Sequence, residues 1–296
     1  MKKKLGQTLA SMFYALLCFT TTATGAQEAP AQPQDELAAA LDAARATLTA
    51  GPADISLRDQ AILQLTDEFL FVPAEASARL LRAWGNRVDE RLLGLVFPAG
   101  EGEWFAVLEY EKSGYVQDDD AKDWDADELL ESLKLGTEES NVERKSRGIP
   151  EMEIVGWVEP PTYDAATHRL VWSLSSKDKG APATENLGIN YNTYALGREG
   201  YVSINLVTDL GAIETEKSIA KALLSNLAFN DGKRYADFDE ATDAVAAYGL
   251  AALVGGAAAK KLGFFALVAA FFAKFAKLIV PAAIGIGALI FRRKKA

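Results

Sequence analysis

Cysteine and histidine are all but missing from this chain. Cys18 and His168 are the only ones in 296 residues, and Cys18 lies in an N-terminal stretch that reads as a removable leader. A mature chain without cysteine has no disulfide, no thiolate nucleophile and no cysteine-bound metal. A single histidine excludes Cys-His catalysis and every zinc motif built on paired His or Cys. No Gly-x-Ser-x-Gly elbow, phosphate-binding loop or His-Glu-x-x-His run occurs, and neither a metal nor a cofactor is expected. Acids are missing from both ends: residues 1–26 carry three lysines and no Asp or Glu, and residues 244–296 carry eight Lys/Arg and no acid. All 41 acidic residues therefore fall in 27–243, against 20 basic ones. So acidic a body repels phosphate backbones, which excludes nucleic acid as a partner bound through its charge. Its aromatic and β-branched content suits a buried core rather than disorder.

The N-terminal end reads as an export signal. Lys2, Lys3 and Lys4 precede an apolar stretch from about Leu9 to Phe19, and small residues follow through Ala23, Gly25 and Ala26. That order predicts a secretory signal peptide over 1–26 with cleavage near Ala26. The competing reading, an uncleaved anchor, needs about 20 apolar residues. Leu17 stands where a lipidation signal at Cys18 wants a small residue. The C-terminal segment, 244–296, is apolar but broken by Lys260-Lys261, Lys274 and Lys277, and it is closed by Arg292-Arg293-Lys294-Lys295. Its uncharged runs of 16, 12 and 14 residues fall short of the roughly 18–20 of a clean span, so a crossing has lysines snorkelling to the interface. With the acidic body exported, the positive-inside rule puts the basic clusters in the cytoplasm. A helical crossing at about 244–261 meets that rule and leaves 262–291 along the inner face as a basic amphipathic segment. A two-helix hairpin, which returns the terminal arginines and lysines to the outside, and a buried soluble helix are the competing readings. The chain is thus predicted to sit in the cytoplasmic (inner) membrane, with 27–243 on the extracytoplasmic, periplasmic side and the C-terminus in the cytoplasm.

Residues 27–53 form a lead-in and a short helix, from Asp35 to about Leu48, with Leu37, Leu41, Ala44 and Leu48 at helical spacing. Gly51-Pro52 ends it. Residues 54–243 are predicted to fold as an α+β domain with an antiparallel sheet and packed helices. Strand-like runs occur at Ile55–Leu57, Ala61–Leu65, Leu92–Phe97, Trp104–Tyr110, Ile154–Val158, Arg169–Ser175, Leu187–Leu196 and Tyr201–Val207. Turns or single helices join them, without the regular βαβ alternation of a parallel sheet. Helices are expected at about Ala74–Trp84, Asp125–Arg144 and Ala212–Leu227, the last with Glu214 and Glu216 near its positive N-terminus. No internal repeat is present, and Tyr235–Asp243 reads as a polar tether.

Three features invite a chemical reading. Asp123, Asp125 and Asp127 alternate like the first ligands of a calcium loop, but Glu128 stands where that loop needs Gly and Lys134 where it needs Glu. The same acids fit a helix start, with Asp125 as cap and Glu128 completing a capping box. His168 shares parity with Leu170, Trp172 and Leu174, so its ring is expected at the end of an apolar strand face, as a core-edge residue or as a catalytic or pH-sensing group. The third feature is a hairpin whose strands flank Gly197-Arg198-Glu199-Gly200. Pairing 196 with 201 sets 194 opposite 203, 192 opposite 205 and 190 opposite 207. Asn190, Asn192, Tyr194, Ser203 and Asn205 then share one face, while Ile189, Tyr191, Val202, Ile204 and Leu206 share the other. The polar face is a solvated sheet surface, an amide pair buried under a helix, or a binding surface; with His168 these five are the candidate binding residues.

Several stretches carry a family resemblance. They run from Glu109 to Val116 (EYEKSGYV), 118–127 (DDDAKDWDAD), 156–164 (GWVEPPTYD), 167–172 (THRLVW), 190–194 (NYNTY), 196–201 (LGREGY), 229–238 (FNDGKRYADF) and 248–252 (YGLAA). Together they resemble the DUF2167 family of bacterial membrane-anchored proteins over nearly the whole mature chain. The resemblance implies location and architecture and carries no catalytic residue. A coarser likeness, the order hairpin, helix, short Phe-containing tail, resembles the ending of Mog1/PsbP-like α/β sandwiches, which are binding or assembly domains.

The resulting expectation is a membrane-anchored extracytoplasmic module, non-enzymatic, bound to membrane lipid through 244–296 and to an envelope protein partner. The alternative is a hydrolase acting in the envelope through two carboxylates across a cleft. A third reading has the basic tail sensing or perturbing the inner leaflet.

Overall fold

The structure, a computed structural model, describes residues 33–182 and 187–255. In chain order the elements are α1 (Pro33–Thr47), β1 (Thr49–Ala50), β2 (Ala53–Leu57), β3 (Ala61–Leu65), β4 (Phe69–Pro73), α2 (Ala74–Ala83), β5 (Leu92–Pro98), β6 (Phe105–Glu111), α3 (Ala126–Ser146), β7 (Met152–Asp164), β8 (Arg169–Asp178), β9 (Gly188–Leu196), β10 (Tyr201–Asp209), α4 (Ile213–Ser225) and β11 (Leu227–Phe229). Eight strands form one antiparallel sheet in the order β1-β4-β5-β6-β10-β9-β8-β7, and β11, β3 and β2 form a second. The fold is α+β with a large antiparallel sheet, as the element order predicts.

Period-two patterning assigns the two faces of the large sheet. Ala106, Leu108, Tyr110, Ile189, Tyr191, Val202, Ile204 and Leu206 point to one side, where α4 and the small sheet close the main core. The other side carries two separate apolar packs. Over β4 and β5, the helices α1 and α2 cover Leu70, Val72, Leu92, Leu95 and Phe97. Over β8 and β9, Leu170, Trp172, Leu174 and Leu196 lie under Val116, Leu129, Tyr235 and the chain beyond residue 244. The packs meet at one end, where Arg147 donates to the Gly85 carbonyl and Arg87 pairs with Glu143.

Two elements depart from the sequence-based expectation, one longer than expected and one missed. β7 runs on through Pro160-Pro161, because it is an edge strand with register shifts, where prolines cost no ladder bonds. β4 reads Phe-Leu-Phe-Val-Pro, four consecutive buried residues with no alternation to betray a strand.

The larger difference concerns residues 244–255, whose composition assigns them to a membrane segment. They pack into the body instead. Val245 bridges to Tyr115, with Tyr115 N–H donating to Ala244 O at 2.8 Å and Ala246 N–H to Tyr115 O at 2.9 Å. Gly114, at φ 85°, permits the approach, since a β-carbon there would lie 2.7 Å from Ala244 O. Leu250, Leu253 and Val254 are buried in the second pack. Composition alone cannot separate an apolar segment that covers a sheet from one that enters lipid. The expected signal peptide over 1–26 and the residues from 256 to 296 lie outside the described ones. Among the described residues no helix is long and apolar enough to cross a membrane.

Candidate functional site

The hairpin register is the one that parity predicts: Tyr201 pairs with Leu196, Ser203 with Tyr194, Asn205 with Asn192 and Val207 with Asn190. The four-residue loop sets this register, and the apolar alternation on the opposite face holds it. Neighbouring strands extend the rows. Trp172 lies beside Asn192 and Val107 beside Asn205, while Leu170 lies beside Tyr194 and Glu109 beside Ser203. The polar residues thus form a stripe along the middle of the sheet, between the two apolar packs.

Within the stripe the groups are unevenly satisfied. Asn205 Nδ2 donates to Asn190 Oδ1 at 3.2 Å, and Asn192 Nδ2 donates to Asn190 O at 3.2 Å. Asn205 Oδ1 and Trp172 Nε1 are buried with no hydrogen-bond partner. A buried polar atom left unpaired costs about 1–3 kcal/mol, and both atoms are closed to solvent, so this row carries a polar cost inside the fold. In the next row, Ser203 and Glu109 make no side-chain hydrogen bond among the described residues. Burial raises the Glu109 carboxyl above its ordinary value, an effect that the Arg91 charge offsets only in part. Tyr194 is raised as well, first by burial and then by the Glu109 charge; the Trp172 indole lies near enough to favour its anion slightly without reaching hydrogen-bond geometry. Glu109 is the stripe member that sequence reasoning missed. Its signal was present in the alternation of Val107, Glu109 and Glu111 with the buried Ala106, Leu108 and Tyr110.

The stripe can accept and donate hydrogen bonds, but it is poorly built for proton transfer. Glu109 is flanked across the strands by Ser203 and Leu92, so no second carboxylate stands opposite it. His168 is not part of the stripe. It sits in the turn before β8 at φ 53°, on the same side of the sheet, and its carbonyl accepts from Leu196 N–H. Its ring stacks on Tyr235 at 4.1 Å, Tyr235 stacks on Tyr115 at 4.3 Å, and Tyr115 stacks on Phe238 at 3.8 Å. Tyr163 donates its hydroxyl to Asp118 Oδ2 at 2.6 Å and faces His168 Nδ1 at 3.1 Å. With that hydroxyl proton committed to Asp118, Nδ1 is the donor toward Tyr163 oxygen. Burial raises the Tyr163 hydroxyl, and its bond to Asp118 raises it further. The histidine is thereby placed at a core edge, tied to the aromatic column that carries the chain's exit.

The acid run divides into separate tasks. Asp118 holds Tyr163. Asp120 accepts from the backbone N–H groups of Leu250 and Ala251, both at 3.0 Å, and so caps the turn of helix at 251–255. Asp125 Oδ1 caps α3, accepting from Asp127 N–H at 2.8 Å and Glu128 N–H at 3.1 Å, while Glu128 makes no return bond among the described residues. Asp243 receives Arg198 through two bonds, at 2.7 and 2.9 Å. Among the described residues no group of three or more His, Cys, Asp or Glu is arranged to hold a metal ion.

Two of the solved structures to which the chain is similar are the following. The PsbP protein (CyanoP) of a Synechocystis species is 11% identical, with 62% of this chain and 94% of that one covered and a TM-score of 0.37. The Ran-binding protein Mog1p of Saccharomyces cerevisiae is 11% identical, with 58% and 96% covered and a TM-score of 0.28. No curated protein matches the sequence. The model of the family described as "protein of unknown function (DUF2167)" matches residues 49–285. That span takes in both sheets and the docked exit, and the chain belongs to the DUF2167 family.

Proposed function

We propose that this protein is an interaction module of the cell envelope, exported and held at the cytoplasmic membrane by the chain beyond Gly255, with the polar sheet stripe as its partner-binding surface. The observation that carries this reading is the pair of half-buried side chains on the stripe, the Ser203 hydroxyl and the Glu109 carboxylate, which make no side-chain hydrogen bond among the described residues. A sheet face that only covers a core has no reason to retain them, because each costs stability unless something outside completes it. Export and anchoring are supported by the charge sorting of the sequence, with acids confined to 27–243 and both ends carrying bases alone. With residues 244–254 docked on the body, this reading puts the crossing downstream, in the stretch that contains Lys274 and Lys277. Catalysis draws no support from the stripe, where neither a histidine nor a second carboxylate faces Glu109.

The test places a photo-crosslinking amino acid at Ser203 in the full chain, in intact spheroplasts, followed by mass spectrometry of the adducts. The expected result is one recurrent envelope protein, crosslinked from outside the cytoplasmic membrane. If Ser203 gives no adduct while the purified protein turns over an envelope substrate, the binding reading is wrong.

A further inference from the structure

The body is so acidic that most of its cations are already paired. Among the described residues every arginine but two donates to a carboxylate or a carbonyl oxygen, from Arg45 with Asp42 to Arg234 with Asp231. The exceptions are Arg79 and Arg82. They stand three residues apart on α2, hence on one side of that helix, and both line the same open groove of about 300 Å³ between α2 and α1. Glu36 lines it from α1, with Ala39, Ala40 and Ala83 making up the rest. Glu36 is itself unpaired among the described residues: no side-chain bond or ion pair joins it to either arginine. Two guanidinium groups and one carboxylate therefore surround a space whose alanines end at the β-carbon and let a ligand come close to the helix backbones.

The arrangement has a chemical preference. A carboxylate ligand is satisfied by the fork of one arginine, whereas two guanidinium groups offer enough donors to surround a phosphate. Glu36 adds a negative charge to the same groove, which disfavours a bare dianion and suits a ligand with a cation at its other end. We propose that the α1–α2 groove binds a phosphate ester carrying an ammonium group, its phosphate oxygens taken by Arg79 and Arg82 and its ammonium by Glu36. The groove lies on the side of the sheet from which the chain leaves at Gly255, with the end of α2 joined to α3 through Gly85 and Arg147. Such an ester has two sources there, a lipid headgroup or a soluble aminoalkyl phosphate. The site is independent of the polar stripe and stands or falls separately from it.

The experiment uses the full chain in detergent, titrated calorimetrically with O-phosphoethanolamine and with inorganic phosphate. In parallel, native mass spectrometry of the chain with phosphatidylethanolamine and phosphatidylglycerol reads lipid retention. The expected result is saturable binding of the aminophosphate, weakened at least about tenfold by Arg79→Ala or Arg82→Ala, since each loses a charge-assisted bond. Glu36→Gln weakens phosphoethanolamine but leaves inorganic phosphate unchanged or tighter. Both arginines are exposed on α2 and none of the three side chains is in the core, so circular dichroism of the variants should match the parent. Binding of the soluble ester places the ligand in solution; retention of phosphatidylethanolamine alone, lost in the double arginine variant, places it in the bilayer. If neither ester binds, or if binding survives the double variant, the proposal is overturned.

Discussion

Glu109 is the residue at which the stability of the fold and the proposed use of the stripe pull apart. Its carboxyl is raised by burial, with the Arg91 charge opposing and Asp89 and Glu111 adding to the rise. A carboxylate raised in the folded state destabilises that state when it ionises, and the penalty is complete above the raised value. As the pH falls below the ordinary 4.5, both states are protonated and the penalty disappears. Glu109→Gln keeps the shape and removes the charge. Denaturant melts at neutral pH should therefore show the variant more stable than the parent, and the difference should close at pH values below those of free carboxylates. A variant equally stable at neutral pH would mean that Glu109 is already paired, and that the stripe is less open than its geometry indicates. Glu109→Gln should at the same time weaken partner capture at Ser203, which separates a functional carboxylate from an accidental one.

At the scale of elements, what could be read from the chain depended on whether neighbours in sequence decide it. The hairpin was legible because a four-residue loop and two alternating strands are all local, and its five polar residues fall on one face as parity requires. The Asp125 cap of α3 was legible for the same reason. β4 was not, since its run of buried residues lacks a period, and neither was the role of Asp120, whose partners are 130 residues away. The attachment of α3 belongs to that second group. Asn141, buried on a helix with little amphipathic character, uses its side-chain amide as a peptide group: Nδ2 donates to Met152 O and Oδ1 accepts from Met152 N–H, both at 2.8 Å. No sequence pattern marks a bond across the turn from helix to edge strand. Asn141→Ala breaks both bonds and leaves the Met152 backbone unpaired, so it should destabilise the protein by about 1–3 kcal/mol. Asp125→Ala, which loses a solvent-exposed cap, should cost about 1 kcal/mol. Equilibrium unfolding checks the order; a larger loss at Asp125 would mean that α3 is held by its own start rather than by β7.

For the whole molecule, the exit of the chain is the joint on which the proposed anchoring rests, and two kinds of force hold it. Leu250, Leu253 and Val254 are buried under the second pack, each worth roughly 1.5–3 kcal/mol, so apolar burial outweighs the Asp120 cap at about 1 kcal/mol. Upstream the hold is ionic. Arg198, in the hairpin loop, grips Asp243, which also accepts from Asp239 N–H at 2.8 Å. The Arg198 bond and the Asp239 N–H hold the Asp243 carboxyl down at about 2, against an ordinary 3.8. A depressed carboxyl contributes stability that is complete above its ordinary value and is lost as the pH falls through the depressed one. The ionic hold should thus weaken between about pH 4 and pH 2, while the apolar hold, which has no charge to titrate, stays. Hydrogen exchange across 239–254, corrected for the intrinsic pH dependence of exchange, should rise in that window at Asp239 and at Asp243, whose N–H donates to Asp239 O, and stay low at Leu253 and Val254. Arg198→Ala should show the faster exchange at Asp239 already at neutral pH and little further change in acid. If acid instead frees 250–254 together with Asp239, the joint is a single cooperative unit, in which the ion pair holds the apolar contacts in place rather than being outweighed by them.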